Sequence, residues 1–175
     1  MIKLTSVGRT NWDTQHTLCA IKWMKKLIAA EGGDERILLP AIYFHDTGYE
    51  DLGNSYGITE VTEAKKGHAE RGAENALNFI SGLNYFSADE IKRICYLIEN
   101  HDEHDNIAEA DRQLILEADG LGQIDWEDCP PSYNKENRRE FLNVVLPRDR
   151  TPFIKTATGK KYFGELLEQA RKYNK

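Results

Sequence analysis

The sequence predicts an all-α bundle of about seven helices, and three observations carry that prediction. Apolar residues recur at intervals of three and four along most of the chain, with no stretch of convincing two-residue alternation. The segments so marked are bounded by capping and breaking signals such as Gly32-Gly33, Ser87-Ala88-Asp89-Glu90 and Pro130-Pro131. With 175 residues, 40% hydrophobic and 30% charged, the chain suits one globular core and is too short for two comfortable ones. We expect a single domain over 1–175, with a core at about 12–124 and a helical extension at about 132–175.

The first helix starts near Thr10 and Asp13, which have capping-box spacing, and Gly32-Gly33 stop it. Its inward stripe of Trp12, Cys19, Ala20, Trp23, Leu27 and Ala30 includes His16. Asp34 can cap a second helix that carries Ile37, Leu38, Ala41, Ile42 and Phe44 up to His45-Asp46, with Pro40 as a late start or a kink. Residues 48–57 read as a loop. A third helix over Glu60 to Ser81 puts His68 on a stripe with Val61, Ala64, Gly72, Ala76 and Ile80. Ser87 opens a fourth, whose stripe of Ile91, Ile94, Cys95 and Ile98 ends on His101. A fifth, about Ala108 to Gly122, turns Leu114, Ile115, Ala118 and Asp119 inward. Two more are expected at about Lys135 to Val145 and Gly159 to Tyr173, with irregular chain around Pro147 and Pro152 between them.

Composition excludes several classes. No apolar run approaches the ~20 residues that cross a bilayer, and the first residues lack a signal-peptide pattern, so a cytoplasmic location is expected and no membrane association. Cys19, Cys95 and Cys129 are odd in number and widely spaced, against a disulfide framework or a thiolate zinc site. The net charge of −6 disfavours stable nucleic-acid binding. It is uneven, however: residues 1–126 carry −10 and 127–175 carry +4, which reads first as a solvated basic tail helix and, in the sharper alternative, as a segment that brings cations to an anionic ligand held elsewhere.

Four of the five histidines and two aspartates thus fall on inward faces: His16, His45, Asp46, His68, His101 and Asp119. Buried carboxylates and imidazoles need partners, and facing helices of a bundle are where metal sites are built. Nitrogen and carboxylate donors without thiolate suit one or two divalent transition metals, Mn, Fe, Co, Ni or Zn. The natural partition puts His16, His45, Asp46 and Asp119 on one ion and His68 and His101 on a second, with Asp46 as bridge. Two ions ~3.5–4 Å apart can polarise a phosphoryl oxygen and acidify a water, which suits phosphate-ester hydrolysis.

The series His16, then Phe44-His45-Asp46-Thr47-Gly48, then Glu117-Ala118-Asp119-Gly120-Leu121 resembles the HD superfamily of metal-dependent phosphohydrolases over roughly residues 12–124. His68, in Gly67-His68-Ala69-Glu70, and His101, in Glu99-Asn100-His101-Asp102, look like the histidines that its two-metal branch adds. The resemblance implies an HD-domain-like helical bundle and a phosphohydrolase acting on a small phosphorylated metabolite, a nucleotide first among the expectations. Tyr49 stands where cyclic-dinucleotide phosphodiesterases of the family have lysine, and no Gly-Tyr-Pro occurs, which argues against that substrate. Di-iron oxygenases of the superfamily use a very similar donor set, and a non-catalytic sensing domain is the third alternative. Asp102 is expected to neighbour the ligand His101, His104 to be exposed, and Asp111 to be solvated. Glu50 and Asp51 are candidate acids for the leaving group, and Asp46 belongs to the catalytic set. Lys65, Lys66 and Arg71 are candidate phosphate contacts, with Arg148, Arg150, Lys155 and Lys160 from the basic extension behind them.

Overall fold

The computed structural model describes residues 8, 9, 12–49, 52, 57–105 and 107–174. These form an all-α bundle, with no strand among the described residues. Helix α1 is Asp13–Glu31, α2 Glu35–Phe44, α3 Ile58–Ala64, α4 His68–Ser81, α5 Ala88–Glu99 and α6 Ala110–Ile124. α7 runs as Lys135–Glu140, passes through a π-helical turn at Phe141–Val145 and finishes as Leu146–Asp149; α8 is Ala157–Tyr173. α1 packs on α6 and α2, α5 on α2 and α4, and α8 covers α6. No helix is long and apolar enough to cross a membrane, among the described residues.

The local signals act as the sequence suggests. The Asp34 carboxylate accepts from the Arg36 amide at 2.8 Å, opening α2. Ser87 and Glu90 exchange the two capping-box bonds that open α5. The expected cap at Thr10 lies outside the described residues. α2 runs through Pro40, whose missing N–H leaves the Arg36 carbonyl without its helical donor. The three cysteines are free; Cys19 and Cys129 are buried.

Two differences concern the functional region. The single helix expected over Glu60 to Ser81 is broken into α3 and α4 by Gly67, which takes φ +72°, a left-handed value that favours glycine. The break makes His68 the first residue of α4. The segment around Pro147, expected to be irregular, is helical: the Leu146 amide reaches back to the Phe141 carbonyl in an i→i−5 bond, a wider turn that spares the following proline ring the usual clash.

Glycines let the chain close where α2 ends. A Cβ on Gly48 would collide with the His68 carbonyl and the Gly72 nitrogen, and one on Gly72 would sit 3.0 Å from the Phe44 carbonyl oxygen. The exit of α2 therefore lies directly against the first turns of α4.

Glu117 ties the C-terminal extension to α6. It is fully buried, and its Oε1 accepts from the Lys155 and Thr156 amides at 2.7 and 2.8 Å and from Gln113 Nε2 at 2.7 Å. Its Oε2 accepts from Thr156 Oγ1 at 2.5 Å. Glu117→Ala would leave several part-buried donors unpaired at once, so we expect urea denaturation to show a loss of roughly 3 kcal/mol. A loss below about 0.5 kcal/mol would show that this anchor does not hold the extension in place.

Candidate metal centre

His16 from α1, His45-Asp46 from the exit of α2, and Asp119 from α6 converge on one point. His16 Nε2 lies 3.3 Å from His45 Nε2, 3.0 Å from Asp119 Oδ1 and 3.4 Å from Asp46 Oδ2. His45 Nε2 lies 3.4 Å from Asp46 Oδ2 and 3.6 Å from Asp119 Oδ1. Donors about one transition ion at ~2.1 Å stand about 3.0–3.4 Å apart, so this spacing fits a single ion.

A second group faces the other oxygen of Asp46. His68 Nε2, from the start of α4, and His101 Nε2, just past α5, are 3.1 Å apart and stand 3.6 and 3.7 Å from Asp46 Oδ1. The two groups, His16 with His45 and Asp46, and Asp46 with His68 and His101, can each hold a metal ion. One carboxylate therefore addresses both.

The histidines are oriented from behind. Nδ1 of His45, His68 and His101 pairs with the carbonyl three residues earlier, Ile42 at 2.7 Å, Lys65 at 2.6 Å and Ile98 at 2.6 Å. A proton on each Nδ1 leaves the Nε2 lone pair aimed into the cluster, as metal-binding imidazoles require. His16 is fixed by a flat stack on Trp12, centroids 4.5 Å apart and planes 8° from parallel, and its Nδ1 has no partner among the described residues.

Two buried arginines balance the acids. Arg9 donates from Nη2 to Asp46 Oδ2 at 2.8 Å and from Nε to Asp13 Oδ1 at 2.5 Å, with its guanidinium 4.2 Å from the ring centres of Trp12 and Tyr49. Arg150 Nη2 lies 2.7 Å from Asp119 Oδ2 and 3.3 Å from Asp102 Oδ1. Burial alone would raise the carboxyls of Asp46 and Asp119, yet His45 acting on Asp46 and Arg150 acting on Asp119 hold both well below the usual range. Burial disfavours a charged His45, but Asp46 and then Asp119 push its pKa up to about 9. His68 is lowered, by burial and then by His101.

A cavity of about 220 Å³ opens onto Asp46, Asp102 and Asp119, with Arg9, Lys65, Arg148 and Arg150 around it and Trp12, Trp126, Tyr133 and Phe141 among its walls. Of the expected phosphate contacts, Lys65 is at the cavity, with Nζ 3.0 Å from Asp102 Oδ1. Lys66 is not: it is exposed and pairs with Glu63. Arg71 is turned to backbone, donating to the Gly48 carbonyl at 2.8 Å. Lys155 and Lys160 are exposed and do not line the cavity, whereas Arg150 is 4% exposed in its midst. Glu50 and Asp51 lie outside the described residues.

His104 corrects the expectation of exposure: it is half-buried, accepts from Arg150 Nη1 at 2.9 Å, and is lowered to about 4 by burial and by Arg150. Asp111 pairs with Arg93 at 3.0 Å, away from the cavity, as its polar surroundings suggest. Nothing in the sequence marks Arg9 for this place, because a lone arginine near the start of the chain carries no periodic signal.

In the metal-free protein His45 has a folded pKa near 9 against about 6.5 unfolded. A raised value contributes stability that is complete below pH 6.5 and lost as pH rises through 9. The melting temperature of metal-free protein should therefore fall across that window, and a saturating divalent metal, which binds neutral imidazole, should remove the decline. A metal-free melting temperature that is flat or rising over the same window would contradict the charge assigned to His45.

Comparison with protein-family models, with curated proteins and with solved structures gives no match, and the site is characterised by its own donors.

Proposed function

We propose that the chain is a metal-dependent phosphohydrolase that cleaves a phosphate ester or anhydride of a small metabolite, with a nucleotide as the favoured class. The observation that carries this reading is Asp46, whose two oxygens each face a separate pair of histidine nitrogens. The HD-superfamily resemblance of the His-Asp series points the same way. Bound divalent ions would supply Lewis acidity and an acidified water.

The rest of the work falls to the protein's own groups. Asp46, Asp119 and Asp102 bring three negative charges to the four histidines, and Arg9 and Arg150 return two positive ones. Such a balance becomes positive once divalent ions are held, which draws an anionic ligand into the cavity. Lys65, Arg148 and Arg150 flank that space and are placed to neutralise phosphoryl oxygens as charge moves to the leaving group. Aromatic walls from Trp12, Trp126, Tyr133 and Phe141 suit an organic body and keep bulk water from the anion. Tyr49, buried against His68 with its ring centre 4.4 Å away, is pushed well above its usual pKa, mainly by burial, and stays neutral.

The test is elemental analysis of protein purified without added metal, followed by a panel of phosphomonoesters, cyclic phosphodiesters and nucleoside mono-, di- and triphosphates assayed in the metal found. Hydrolysis of a phosphoester or phosphoanhydride bond in the panel is expected. It should fall in folded Asp46→Ala by more than the roughly 100-fold that losing an outer partner of a ligand costs. Iron content with oxygen-dependent turnover and no hydrolysis would replace this reading with oxygenase chemistry. Metal binding without turnover of any kind would leave a sensing domain.

A further inference from the structure

We infer that Asp102 is a ligand in the second metal site, so that each ion is held by two imidazoles and two carboxylates, and that Arg150 positions the two outer carboxylates together. The inference rests on the two-metal reading above and adds a donor to it. Asp102 Oδ2 stands 3.3 Å from His68 Nε2 and 3.6 Å from His101 Nε2, within 0.3 Å of the 3.0 and 3.6 Å that Asp119 Oδ1 keeps from His16 and His45. The other oxygen, Oδ1, is taken by Lys65 Nζ at 3.0 Å and Arg150 Nη2 at 3.3 Å. The carboxylate is thus split: one oxygen faces cations and the other faces two imidazole nitrogens.

That split is the decisive point. His68 and His101 spend their Nδ1 protons on the Lys65 and Ile98 carbonyls, which leaves both Nε2 atoms as acceptors. Two imidazole lone pairs, Asp102 Oδ2 and Asp46 Oδ1 then converge with no donor among them. A single proton can serve only one pair of these four atoms, whereas one cation at their centre serves all of them.

The arrangement repeats a device already present in the chain. His45-Asp46 leaves α2 with the histidine Nδ1 on the Ile42 carbonyl, and His101-Asp102 leaves α5 with its Nδ1 on the Ile98 carbonyl. Each His-Asp pair supplies an imidazole and a carboxylate, His45-Asp46 to the first site with Asp46 reaching the second as well, and His101-Asp102 to the second. Arg150 Nη2 touches Asp119 and Asp102 together, so the outer carboxylate of one site and that of the other are held by a single group. Matching donor sets predict that both positions take the same element.

Equilibrium dialysis against Mn(II) or Co(II), followed by elemental analysis, tests this without reference to activity. Wild-type protein should hold two ions per chain, Asp102→Asn one, and Asp111→Asn, on the distant Arg93 pair, two. Arg150→Gln should reach two at saturation with each affinity about 10–100-fold weaker. Retention of the first ion shows that Asp102→Asn is folded. If that variant does not fold, Co(II) titration of the wild type decides. Equal visible band intensities for the first and second equivalents support the inference, and a weak second band of a mostly water-ligated ion overturns it. Asp102→Asn holding two ions with unchanged affinity would overturn the role of Asp102 while leaving the two-metal reading intact. Wild-type protein holding one ion would overturn the second site, and one holding none would overturn the metal reading itself.

Discussion

A carboxylate shared between two pairs of imidazoles is the constraint on which the rest of this structure depends. Asp46 is 7% exposed, and its oxygens stand 3.4 Å from His16 and His45 on one side and 3.6 and 3.7 Å from His68 and His101 on the other. An ionised group so placed is costly unless it is compensated on every side. Arg9 supplies part of the compensation, and the histidines supply more when charged or when sharing a cation. The helices must hold these partners at fixed distances, which explains why α1, α2, α4, α5 and α6 all reach the same point.

Several features that look incidental follow from that requirement. Gly48 and Gly72 remove the side chains that would keep the exit of α2 from the first turns of α4, and Gly67 breaks the preceding helix so that His68 begins a new one. The close approach brings His68 to Asp46. On the far side, Glu117 binds the start of α8 and fixes the segment that carries Arg150. A basic extension on an acidic protein thereby becomes part of the centre. The π-helical turn in α7 sets Phe141 and Val145 into the cavity wall.

Much of this was legible in the sequence, because the signals are local. Three- and four-residue spacing placed His16, His68 and Asp119 on inward faces, and all are 2% exposed or less. The capping residues Asp34 and Ser87 are where they were expected. The rest depends on contacts between segments far apart in the chain. Arg9 reaches Asp46 across 37 positions and Arg150 reaches Asp102 across 48, and no spacing announces either. His104 sits in a polar run that reads as solvent-facing, and the return of Arg150 covers it. Lys66 and Arg71 follow His68 closely in sequence, but one turns to Glu63 and the other to the Gly48 carbonyl.

The central claim is that the converging donors exist to hold metal, and anomalous diffraction at the absorption edge of the resident element tests it most directly. The account predicts two peaks flanking Asp46, one among His16, His45 and Asp119 and the other among His68, His101 and Asp102. Crystals of metal-saturated protein with no peak in this cluster, or with peaks only at surface residues, would contradict it.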